Sequence, residues 1–165
     1  AEEIDAKLAE MGAQITADYA GKDLLLVGIL KGAFVVMADL ARHIDLPVEF
    51  DFMAVSSYGS ATKSSGVVRI LKDLDQEIDG RHVLIVEDIV DTGLTLQYLL
   101  RNLQVRKPAS LALAALLIKD GVERPPLDVA YEGFHIPPAF VIGYGLDYEG
   151  KYRNLPYVAE VDQVD

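Results

Sequence analysis

The chain has 165 residues, 51% of them hydrophobic and 25% charged, the balance of one globular domain with its own core. A formal net charge of −11 weighs against non-specific binding to nucleic acid or an anionic membrane, both of which need basic patches, so neither is expected as a partner. There is no cysteine, which excludes disulfides and thiolate chemistry, and no apolar run reaches the roughly 18 residues of a transmembrane helix.

The chain opens on Ala1-Glu2-Glu3-Ile4-Asp5, acidic and lacking the basic and apolar regions of a signal peptide, which fits a cytoplasmic location. No initiating Met is present, so a few residues are expected to be absent or removed. Ile4, Leu8, Met11, Ile15 and Tyr19 share one helical face and predict an amphipathic helix over about the first twenty residues. Leu24 to Leu30 is an almost unbroken apolar run, hence a buried strand. Gly32 opens a second helical pattern through Phe34, Met37, Leu40 and Ile44. Val48, Phe50, Phe52 and Ala54 alternate with Glu49, Asp51 and Met53, which predicts a strand. From Ser56 to Gly66 the composition turns to Ser, Gly, Thr and Lys around Tyr58, the texture of a mobile loop, and Val67 to Leu71 reads as its returning strand.

The segment from Val83 to Leu103 is the most informative. Its apolar run ends in Glu87-Asp88, passes Asp91, enters Thr92-Gly93-Leu94-Thr95 and continues as a helical pattern of Leu96, Leu99, Leu100 and Leu103. A strand therefore feeds a helix through a turn rich in hydroxyls and backbone N–H groups, which is an anion site. Three acids beside an anion site repel it unless cations or ligand hydroxyls share the space. That conflict points to a ligand combining phosphate, polyol and metal. Helix capping by Asp91 would account for one acid and not three. Neither a Walker A loop nor a dinucleotide fingerprint is present. A phosphoacceptor receiver domain also ends a strand in paired acids, but that strand lies near the start, and the domain needs a later acceptor Asp and a strand-end Lys. Here the strand is mid-chain and Lys107-Pro108 comes too soon.

Leu111 to Ile118 is another strand, with Lys119 at its end, and shorter candidates follow at Val129-Ala130-Tyr131 and Phe140-Val141-Ile142. Strands alternating with helices imply an α/β fold whose parallel sheet is covered on both faces, with ligands at the C-terminal strand ends. The hairpin and the Pro-rich end of the chain would form a flap or hood over that edge. His43, His82 and His135 have no metal-ligand spacing and receive no role.

The Val83–Thr95 segment resembles the phosphoribosyl-diphosphate (PRPP) binding motif of type I phosphoribosyltransferases: an apolar strand, two acids, then Asp-Thr-Gly-x-Thr. Further segments narrow the resemblance to the hypoxanthine-guanine branch, over nearly the whole chain. It implies a type I phosphoribosyltransferase fold in a single domain over 1–165: a central parallel sheet flanked by helices, a flap hairpin at 56–66, and a small hood contributed by residues from about 125 to 165. It also implies a purine salvage enzyme that transfers the phosphoribosyl group of PRPP to hypoxanthine or guanine, giving IMP or GMP and pyrophosphate, with Mg²⁺ as cofactor.

Residue by residue, the resemblance carries over as follows. Leu30, Lys31 and Gly32 resemble the pyrophosphate loop, in which the peptide before the Lys is often cis. Glu87 and Asp88 would engage the ribose hydroxyls and their metal, Asp91 would accept the purine N7 proton as general base, and Asp91, Thr92, Gly93, Leu94 and Thr95 would bind the 5′-phosphate. Ser57 and Tyr58 start the closing flap. Lys119 would contact the purine exocyclic oxygen. Phe140 would stack on the base and Val141 would offer its backbone groups to the base's edge. Asp147, beside the base, would hold a metal on the pyrophosphate side, and Arg153 would contact pyrophosphate. The family commonly forms dimers or tetramers, so a homodimer or homotetramer is expected. Some members are transcriptional regulators that keep the PRPP motif; the acidity of this chain and its Lys119 and Asp147 favour the enzyme.

Overall fold

In the computed structural model, which describes residues 1–58 and 67–162, the apolar runs form the centre of one sheet. Its strands in chain order are β1 (Leu24–Leu30), β2 (Glu49–Tyr58), β3 (Val67–Lys72), β4 (His82–Val90), β5 (Ser110–Lys119) and β6 (Tyr131–Ile136). They lie side by side as β3-β2-β1-β4-β5-β6. All neighbours are parallel except β2 and β3, an antiparallel pair that makes the sheet mixed at that edge. The returning strand expected after the polar loop is β3. Most of the expected flap, residues 59–66, lies outside the described residues.

Near-continuous hydrophobic strands arise when both faces of a sheet are covered, and alternate residues of β1, β4 and β5 do go to opposite sides. Leu24, Leu26, Leu84, Val86, Ala114 and Leu116 pack under the helices α1 (Glu2–Asp18) and α2 (Phe34–Arg42). Leu25, Val27, Val83, Ile85, Leu113 and Ala115 pack under α3 (Leu94–Gln104), against Leu96, Leu99 and Leu103. Among the described residues no helix is long and apolar enough to cross a membrane.

The structure adds detail to two expected elements and shifts a third. Phe34 sits at the start of α2 but is 47% exposed, because the buried stripe of that helix runs through Val36, Met37 and Leu40. In β2 the more deeply buried face carries Asp51 and Met53, while Phe50 lies in solvent. Asp51 can be buried because its carboxylate accepts the N–H groups of Phe52 (2.8 Å), Asp75 (3.0 Å) and Gln76 (3.1 Å) and has Lys72 Nζ 3.8 Å away. The strand candidate at 129–131 starts only at Tyr131 and runs to Ile136 as the edge of the main sheet. Beyond it, β7 (Val141–Ile142) and β8 (Ala159–Glu160) form a separate two-stranded sheet, and β8 had no counterpart in the sequence pattern.

The connections of β1 and β4, neighbours at the centre of the sheet, run in opposite directions along it. Such a reversal leaves a crevice at the C-terminal strand ends. The chain leaves that edge at Lys31, at Asp91 and at Lys119, so these segments reach it by topology rather than by proximity in sequence.

Candidate active site

The end of β4 lies in this crevice. Glu87 keeps part of its surface exposed, but its carboxyl is surrounded by protein and hydrogen-bonds with that of Asp88. Burial, then the adjacent Asp88 charge, push the Glu87 carboxyl well above its ordinary range. Burial raises Asp88 as well, opposed by its bond to Glu87, by the Ile89 N–H at 2.7 Å and by the positive field of Arg153. The two carboxyls therefore hold more proton and less charge than exposed acids would.

Gly32 follows the cis peptide between Leu30 and Lys31. Its Cα backs directly onto Asp88, and a methyl group there would collide with Oδ2. A glycine is needed here for close approach, not for an unusual φ. The same turn is approached from the hood, where a side chain at Gly145 would strike the Gly32 carbonyl. Tyr144 donates its hydroxyl to Asp39 of α2 and ties the hood to the helix behind the turn. Sequence reading gave Tyr144 no role, and nothing in its spacing identifies one.

Asp91 is not a helix cap. The N-cap of α3 is Gly93, in the left-handed region at φ 74°, with no side-chain capping bond and no acid in the first turn. The first N–H groups of α3 have no intrahelical acceptor. Asp91 instead accepts a hydrogen bond from Lys119 Nζ at 3.1 Å. Register explains the meeting. In β4 and β5 His82 pairs with Ser110 and Val90 with Ile118, so one further step brings Asp91 level with Lys119. The cation beside the third acid thus comes from within the crevice, in addition to Arg153, whose positive field reaches Asp88. Arg124, given no role from sequence, donates to the backbone carbonyls of Asp91 at 2.7 Å and of Lys119.

In the hood, Arg153 donates to the Gly145 carbonyl at 2.6 Å and pairs with Asp147 at 3.4 Å. The other Asp147 oxygen accepts the Gly150 N–H at 2.8 Å. Phe140 is largely exposed and meets Tyr148 edge-on, with centroids 5.9 Å apart. Val141 is in β7, and Ser57 and Tyr58 close β2. Among the described residues no three Asp, Glu or His side chains converge as a metal cage.

Three comparisons with known proteins bear on the family and the fold. A family model described as a phosphoribosyl transferase domain matches residues 1–149. A hypoxanthine-guanine phosphoribosyltransferase of Mycobacterium avium is 56% identical over 168 residues, covering 98% of this chain and 83% of that protein. One from Bacillus subtilis is 50% identical over 157 residues, covering 95% and 87%. A crystal structure of a hypoxanthine phosphoribosyltransferase from Staphylococcus aureus superposes with a TM-score of 0.95 at 47% identity, over 98% of this chain and 88% of that one.

The Glu87 environment has a consequence for stability. A carboxyl raised in the folded state disfavours folding once the pH exceeds its unfolded value, because the folded protein then binds more protons than the unfolded one. Glu87→Gln should therefore raise the thermal midpoint of the ligand-free protein at pH 8 by about 2–4 °C, with the gap closing towards pH 4. Calorimetry at both pH values checks this; a lower midpoint for the variant at pH 8 would mean that the ionised carboxylate is stabilised where it stands.

Proposed function

This chain belongs to the phosphoribosyltransferase family, and we propose that it joins the 5-phosphoribosyl group of PRPP to hypoxanthine or guanine. The products are IMP or GMP and pyrophosphate, and the role is purine salvage. The observation that carries this reading is the pairing of Lys119 with Asp91 at 3.1 Å. A 6-oxopurine protonated at N7 presents an acceptor, the C6 oxygen, beside a donor, N7–H. An ammonium beside a carboxylate is their complement. Adenine carries an amino group at C6 and would set a donor against the ammonium.

The reaction breaks the bond from C1′ of ribose to a pyrophosphate oxygen, so positive charge grows on the ring and negative charge on the leaving group. Lys31 and Arg153 neutralise pyrophosphate. Glu87 and Asp88 accept the ribose 2′- and 3′-hydroxyls, and a cation held beside them would draw out their ionised forms, whose negative charge favours the electron-poor ring. The turn of Asp91, Thr92, Gly93, Leu94 and Thr95, at the N-terminus of α3, holds the 5′-phosphate, so binding energy remote from C1′ fixes the ribose. The purine nitrogen N9 bonds to C1′ while Asp91 removes the N7 proton. Phe140 stacks on the base and the Val141 backbone meets its edge. Ser57 and Tyr58 begin the flap that excludes water, which would otherwise compete for PRPP.

The residues present fit Mg²⁺. Glu87 and Asp88 are desolvated carboxyls beside a crevice, and Asp147 presents a further carboxylate in the hood. Mg²⁺ takes one or two carboxylates together with phosphate oxygens rather than a full protein cage. When bound there, the ion supplies charge neutralisation for the PRPP oxygens. A dimer or tetramer in the cytoplasm completes the proposal, and the exposed Phe34 and Phe50 beside α2 are apolar surface that self-association would cover.

Incubation with PRPP, Mg²⁺ and each of hypoxanthine, guanine, xanthine and adenine, with pyrophosphate release followed, tests the reaction. Release is expected with hypoxanthine or guanine and not with adenine; release with none of the four would overturn the assignment. Lys119→Ala should raise the KM for hypoxanthine roughly ten- to a hundredfold, the loss of a charge-assisted hydrogen bond, and erase the discrimination against adenine. An equal effect on both bases would contradict the carbonyl contact. Asp91→Asn should lower kcat by about 10²–10⁴ with PRPP affinity largely kept, and near-normal turnover would remove Asp91 from the base role.

A further inference from the structure

The ladder between β4 and β5 ends at Val90 and Ile118. One residue further on, Asp91 and Lys119, which form the proposed purine subsite, lie past the ladder and are joined only through their side chains. A carbonyl without a ladder partner needs another donor. Arg124, in the segment between β5 and β6, supplies it for both strand ends. Its Nη1 donates to the Asp91 carbonyl at 2.7 Å, with a longer approach to Val90 at 3.4 Å, and its Nη2 donates to the Lys119 carbonyl. A guanidinium is a rigid planar fork, suited to fixing two acceptors at one separation. Among the described residues Arg124 forms no ion pair with a carboxylate, so these bonds are directed at main chain rather than at a charge. The same segment makes a second, apolar contact with the phosphate turn: Leu127 lies against Gly93, where a side chain would run into it.

We propose that Arg124 is a positioning residue for the transfer reaction. It continues the β4–β5 pairing past the end of the ladder, and so holds the Asp91 carboxylate and the Lys119 ammonium at the separation that the purine edge requires. The proposal rests on the assignment of Asp91 and Lys119 to the purine. It does not place Arg124 in contact with base, ribose or phosphate. Loss of the fork lets the two strand ends drift, and displacements of about an ångström at a reacting group cost up to a hundredfold in rate.

The test is steady-state kinetics of Arg124→Ala and Arg124→Lys, with and without guanidinium ion at a concentration that leaves the wild type unchanged. Arg124→Ala should lose about 10- to 100-fold in kcat/KM for hypoxanthine, with the KM for PRPP changed much less. Arg124→Lys, which offers donors without the planar fork, should fall in between. Added guanidinium should restore activity to Arg124→Ala in a saturable way. Guanidinium opposes folding, so rescue separates positioning from general stability. If Arg124→Ala does not fold, Arg124→Gln is read by the same split between purine and PRPP parameters. Purine kinetics within about twofold of wild type would overturn the proposal, as would a loss that tracks a lowered thermal midpoint and is not relieved by guanidinium. A wild type inactive with every base would instead overturn the underlying assignment, so the two failures are distinct.

Discussion

Three carboxylates crowded at the end of one central strand are the constraint around which the crevice is organised. Left as three charges they would repel one another and the phosphate that the adjacent turn attracts. The structure resolves the crowding in two parts. Glu87 and Asp88 are turned into the fold and hydrogen-bonded together, and burial lifts both towards their neutral forms. Asp91 stays exposed and ionically paired with Lys119 from the next strand. The first pair is a reserve of carboxylate that a cation would draw out, and the second is already a matched donor and acceptor.

Much of the remaining architecture keeps these groups in place. Gly32 admits Asp88 against the turn after β1, and Gly145 lets the hood close on that turn from above. The bond from Tyr144 to Asp39 fastens the hood to α2, and Arg153 spans Gly145 and Asp147 within it. Each of these contacts joins segments far apart in sequence. They converge because β1 and β4 are neighbours whose connections run in opposite directions, so the open end of the sheet is where the chain must gather its turns.

The central strands were legible because continuous apolar runs and leucine spacing leave little else to do than build a covered sheet and its helices. The site was legible where it was local: Glu87 to Thr95 is one short segment whose composition conflicts with itself. Lys119 was legible as a strand-end residue facing the crevice and its base contact through a family resemblance, but its partnership with Asp91 depends on register, and register is set by the packing of whole strands. Arg124 and Tyr144 were invisible for a related reason. Each acts on groups that are distant in sequence, and neither lies on a periodic face. In β2 the alternation was correct, but which face goes inward is decided by three backbone N–H groups that reach Asp51, two of them from the segment after β3. The polar stretch at 59–66 lies outside the described residues, and its role in closure stands on composition and resemblance.

In the proposed reaction Asp91 and Lys119 together meet the N7 and O6 edge of a 6-oxopurine. A crystal structure with IMP and magnesium pyrophosphate bound tests this most directly. An Asp91 carboxylate oxygen is expected within hydrogen-bond distance of N7, and Lys119 Nζ within hydrogen-bond distance of O6, about 2.7–3.2 Å in each case. A purine whose N7 and O6 face other residues, with Asp91 and Lys119 still paired to each other, would contradict it.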